Sequence, residues 1–63
     1  MKEKLLVERF IGGVSNIDVE VISKKENKVL IKTWDAIKVL EFNGKFYQVT
    51  EEYKEIPKEW KNV

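Results

Sequence analysis

A chain of 63 residues has room for one domain, spanning 1–63, whose core is thin for its surface. It contains no Cys and no His, which removes disulfides, thiol chemistry, structural zinc and the commonest general acid or base. Twelve basic residues face eleven acidic ones for a net charge of +1, and 43% hydrophobic with 37% charged residues is a globular composition, not a disordered one.

The first segment, Leu5–Ile11, reads in two ways. Leu6, Val7, Phe10 and Ile11 fit helical spacing, with Gly12-Gly13 as a cap. As a strand, the segment places Leu5, Val7 and Ile11 on one face and Leu6 and Phe10 on the other. The strand is preferred, because so short a helix is marginal alone and everything downstream pairs as sheet. Ile17–Val21 alternates cleanly, with Ile17, Val19 and Val21 inward and Asp18 and Glu20 in water. Ser23–Lys28 reads as a turn in which Asn27 takes the left-handed conformation. Val29–Trp34 is the third strand, Asp35-Ala36 a break, and Ile37–Phe42 the fourth strand.

Asn43-Gly44 predicts a two-residue type I′ turn, so that Lys45–Thr50 returns as the fifth strand. That turn sets Phe42 opposite Lys45, Glu41 opposite Phe46 and Leu40 opposite Tyr47. In the tail, Pro57 suits a first helical position and Glu59 a first turn. Ile56 and Trp60 are then spaced to lie across the open end of the sheet. The fold expected is mainly β: a small five-stranded, partly open antiparallel barrel, Src-homology-3-like or OB-like, with a short C-terminal helical turn. Val29, Leu30 and Ile31 make one strand apolar on both faces. A sheet curled on itself explains that, and so does a dimer, so monomer and homodimer are both kept.

The candidate chemistries fall away one by one. Asp18 with Glu20, and Glu51, Glu52 and Glu55, are carboxylates on solvated faces without the Asn/Asp and Gly spacing of a calcium loop. Ser15 and Ser23 have no His to activate them and read as turn residues. Gly12–Asn16 lacks the Gly-Lys-Ser/Thr ending of a phosphate loop. No enzyme, cofactor or metal is therefore expected. The N-terminus has charge on both sides of a short apolar run, unlike a signal peptide, and no stretch approaches a membrane span. A cytoplasmic protein is expected, with no membrane partner.

What remains is binding. Residues 23–49 hold six lysines against three acids, while both flanks are slightly acidic, giving a mild basic centre. Among seven aromatics, Phe42 and Phe46 are expected to close one end of the barrel, and Trp34 to stand partly exposed. The first reading is an adaptor or inhibitor module that meets another protein through Trp34, Tyr47 and Tyr53, on the sheet face or an unpaired strand edge. The alternative is single-stranded nucleic acid, with Trp34 and Tyr47 stacking on bases while Lys24, Lys25, Lys28, Lys32 and Lys45 follow the backbone. Near-neutral charge and a single Arg favour the protein partner.

Overall fold

A computed structural model of the chain describes residues 1–8 and 13–61. The expectations for Phe10, Ile11 and Gly12 lie outside the described residues. Five strands form one sheet: β1 Lys2–Glu8, β2 Val14–Lys25, β3 Lys28–Lys32, β4 Ile37–Phe42 and β5 Tyr47–Tyr53, followed by a 3-10 turn at Lys58–Trp60. Each strand lies antiparallel beside the one before it, and β5 comes back beside β1 to close a ring. In a meander of five, the first and last strands run the same way, so the closing contact has to be parallel. It consists of one bridge, Val7 with Tyr47. The meander also puts the β1–β2 and β3–β4 connections at one end of the ring, and the β2–β3 and β4–β5 turns at the other.

Alternation decides what goes inside. Val7, Val19, Val21, Val29, Ile31 and Leu40 fill the ring, with Leu5, Ile17 and Tyr47 packed against them. The expected faces of β1 and β2 hold: Ile17, Val19 and Val21 point inward while Asp18 is exposed and Glu20 half-exposed. The other face of β3 and β4 carries Leu30, Ile37 and Val39, and these form a second buried cluster with Trp60. The tail therefore covers the second apolar face from within the chain, and that face does not require a dimer. Among the described tail residues Trp60 is the buried one of this cluster, with Tyr53 packed against it, while Ile56, expected beside it, is 36% exposed. Pro57 is extended (φ −61°, ψ 150°) and stands just before the 3-10 turn, one position earlier than expected. The Trp60 N–H donates to the Pro57 carbonyl at 3.0 Å.

Three turns differ from the sequence expectation, each for a local reason. β2 runs on through Ser23-Lys24-Lys25, and a bulge between Val21 and Ser23 absorbs the extra residue. The β2–β3 turn is only Glu26-Asn27, and Glu26, not Asn27, takes the positive φ, at 57°. Asn27 is held by β4 instead: its side-chain amide donates to the Phe42 carbonyl at 3.3 Å, and its own carbonyl accepts from the Phe42 N–H at 2.8 Å. Trp34 is not in the third strand. Thr33 ends it, with its N–H bonded to the Ala36 carbonyl at 2.8 Å and its hydroxyl donating to Asp35 at 2.8 Å.

The β4–β5 hairpin forms where Asn43-Gly44 places it, but two residues wider on one arm. Phe42 faces Tyr47, Glu41 faces Gln48 and Leu40 faces Val49. The Asn43 side-chain oxygen accepts from the N–H groups of both Lys45 and Phe46 at 3.0 Å, so a four-residue loop replaces the type I′ turn. An offset of two keeps every side chain on its intended face. A second bulge sits on β5 opposite Val39/Leu40, and the Thr50 hydroxyl donates to the Val39 carbonyl at 3.3 Å. Of the two residues expected to close one end of the ring, Phe42 is 38% exposed and pairs with Tyr47, and Phe46 is half-buried in the loop.

Two stability outcomes follow from this packing. Trp60→Ala is expected to cost about 3–5 kcal/mol, the usual loss for a buried Trp. A domain this size holds roughly 3–9 kcal/mol at about 0.05–0.15 kcal/mol per residue, so guanidinium unfolding should show a midpoint lowered by about a third or more. Glu26→Gly should raise stability by about 1 kcal/mol, because a side chain in the left-handed region costs about that much. An unchanged denaturation midpoint would count against strain at this turn.

Candidate protein-binding end

The end of the ring that carries the β3–β4 connection is built by a mismatch in strand length. β2 has 12 residues and β3 only five, so β3 accompanies β2 no further than Glu20, opposite Lys32. Thr33 and Asp35 then form their hydrogen-bonded turn and lead the chain away into β4. From Val19 back towards Val14, β2 is paired with β1 on one side and, among the described residues, with no strand on the other. A hollow of about 360 Å³ opens here into the ring. Val7, Ile17, Val19, Ile31, Leu40 and Val49 form its apolar lining. That volume is at the low end for sites that take small molecules or side chains.

The rim of the hollow is polar and of mixed sign. Asp18, Glu20 and Thr33 stand among Lys2, Lys32 and Lys38. Across the strands these charges alternate: Lys2 lies opposite Glu20, and Glu20 opposite Lys32. The N-terminal ammonium donates to the Glu20 carboxylate, and that hydrogen bond, then its charge, holds the carboxyl below its usual range, with smaller help from Lys2 and Lys32. Trp34 sits on the same rim and is 96% exposed, so its ring is nearly bare of protein contact. An indole left in water beside an apolar hollow is the least compensated feature of the surface.

The other residues singled out from the sequence do not gather here, Lys32 excepted. Tyr47 is half-buried against the inner cluster, its ring 5.0 Å from that of Phe42 at 49°. Tyr53 packs on the Trp60 cluster and donates from its hydroxyl to Glu51 at 2.6 Å. Lys24 is ion-paired with Glu3 at 2.9 Å, and the Lys25 ammonium stands 5.7 Å from the centre of the Trp60 ring. Lys28 is cross-strand from Glu41, and Lys45 is exposed in the four-residue loop at the opposite end from Trp34. Lys24, Lys25, Lys28 and Lys45 thus lie towards the end that carries the β2–β3 and β4–β5 turns, several with acidic neighbours and away from Lys32 and Trp34, and Trp34 and Tyr47 do not share a surface.

Among the described residues no group of three or more acidic, His or Cys side chains is placed to hold a metal ion. No helix among them is long and apolar enough to cross a membrane. Sequence reasoning named an unpaired strand edge without placing it on β2, and read Asp18, which lies there, as a solvated carboxylate. No protein-family model matches the chain, and no curated protein and no solved structure matches it significantly.

Tyr53 offers a direct check on the packing beside the tail. The hydrogen bond to Glu51, then desolvation and the nearby charges of Glu51 and Glu59, push its hydroxyl up from 10.0 to about 12. A raised pKa means that the fold favours the neutral phenol, so the stabilisation is complete below pH 10.0 and is lost as pH rises through about 12. In an ultraviolet absorbance titration Glu51→Gln should bring this ionisation back towards 10.0. No movement would show that the Glu51 contact is not formed.

Proposed function

We propose that this chain is a small non-catalytic protein-binding module of the adaptor or inhibitor kind, and that it meets its partner with the Trp34 end of the ring. The observation that carries this is Trp34 itself, 96% exposed beside an apolar hollow of about 360 Å³. Trp is the side chain most enriched among residues that dominate binding energy, and a pocket beside it supplies the place where a partner's apolar anchor is desolvated. The mixed charge of the rim suits a protein surface better than a polyphosphate, which calls for one sign of charge. The frame is read as a small barrel of the Src-homology-3-like kind acting in the cytoplasm. Its strands follow one another as a meander, whereas an OB-like barrel is a Greek key.

The test uses the tagged full chain expressed in its native host, as wild type and as Trp34→Ala. Because the ring touches almost nothing, the substitution should change stability by less than about 0.5 kcal/mol. The protein partner captured by the wild type should be lost, with affinity at least about tenfold weaker, as truncation of a dominant Trp costs. Capture that survives Trp34→Ala overturns the reading. Tryptophan quenching by single-stranded DNA that weakens steeply with salt would favour a nucleic-acid partner instead.

A further inference from the structure

We infer that the open edge of β2 receives an extended segment of the partner as an added strand, and that the segment reads apolar–basic–apolar along its length. This rests on the protein-binding reading above and gives that partner its chemistry. The first ground is the backbone. The Val21 N–H donates to the Met1 carbonyl at 2.7 Å, so Val21 turns its main-chain groups towards β1. In an antiparallel pair this direction alternates along the strand, so Val19, Ile17 and Ser15 also face β1. Asp18 and Asn16 therefore aim their N–H and C=O groups at the other edge, where no strand lies among the described residues. A strand laid there gains hydrogen bonds from both residues, the recognition mode known as strand addition.

The second ground is charge. On the outer face one row across the sheet reads Lys2, Glu20, Lys32, with sign alternating from strand to strand. The next row reads Lys4, Asp18, and then stops. The place beside Asp18 is the counterpart of the one Lys32 fills beside Glu20, and a basic side chain completes the row. Register makes the vacancy concrete: continuing β3 past Lys32 would set Thr33 beside Val19 and Trp34 beside Asp18, but the Thr33–Ala36 turn diverts the chain. On the inner face the neighbours of the added strand are Ile17 and Val19, at the mouth of the hollow. Residues on either side of the basic one thus point at apolar surface, which fixes the alternation.

The experiment adds short blocked peptides to the isotope-labelled full chain and follows backbone amide resonances. One peptide alternates valine with lysine, a second valine with glutamate, and a third has the composition of the first with its lysines in one block. The alternating lysine peptide should shift the amides of Asn16 and Asp18 and bind about fivefold tighter than the other two, the scale of an opposite-charge cross-strand pair against a like-charge one. Asp18→Lys should reverse the preference towards glutamate, and Asp18→Asn should abolish it. Equal binding of the peptides, no binding, or shifts that miss Asn16 and Asp18 overturns the inference. So does sedimentation of the peptide-free chain as a dimer with those two amides protected, since a second copy then fills the edge. Should the peptides fail while Trp34→Ala still abolishes capture, strand addition is wrong and the protein-binding reading stands; the opposite pair of results removes the Trp34 reading and leaves the edge.

Discussion

The whole molecule depends on Trp60 lying across the outer face of β3 and β4. A five-stranded ring encloses little volume, and a domain of this size buries only about 60% of its unfolded surface. Here the inner cluster is built mainly from Val, with one Leu and one Ile. A second layer is needed, and Leu30, Ile37 and Val39 supply an apolar outer stripe that water would otherwise wet. One indole, delivered by a three-residue 3-10 turn, converts that stripe into core. Tyr53 closes one flank and the Lys25 ammonium lies over the ring. Two thin layers sharing β3 and β4 take the place of one thick core.

That arrangement explains why β3 and β4 bury residues on both faces while β2 is half-exposed along its length. β3 and β4 are covered on both faces, and the burial of Val29, Leu30 and Ile31 leaves no solvent face for either layer to share. β2 is covered on one face only, and its outward Asp18 and Asn16 are exposed. Once β3 stops, β2 extends beyond the double-layered part of the molecule with one edge uncovered. The end proposed for binding is thus a consequence of economy in the core: the strand that outruns its partner exposes backbone groups, and the turn that stops the partner presents Trp34.

The strands were legible in the sequence because alternation and β-branched runs report burial directly. Ile17–Val21 needed no tertiary information, since its pattern is satisfied by its own two faces. The turns were less legible because a side chain chose between two local solutions of similar energy. Asn43 is suited both to a type I′ turn and to accepting two backbone N–H groups, and the second requires the wider loop. Asn27 offered the left-handed conformation, but its hydrogen bonds to β4 left that role to Glu26. Of the proposed site, the sequence named Trp34 and Lys32. The placement of the lysines depends on which turn falls at which end of the ring, and an edge depends on the partner strand that is missing, neither of which is written in any local window.

The uncovered edge also bears on how the molecule stays monodisperse or fails to. An exposed strand edge is a template for pairing with another chain, and proteins commonly blunt it with charge or with a bulge. This edge has Asp18 next to an apolar mouth and no proline, so it discriminates by charge while remaining open. Self-pairing in the register that sets Asp18 against Asp18 of a second copy places like charges opposite, which disfavours it. A basic residue in the same place is favoured. In the proposed strand addition Asp18 therefore acts in both directions, disfavouring an acidic neighbour and favouring a basic one, and a single carboxylate suffices because the backbone groups beside it carry no preference of their own.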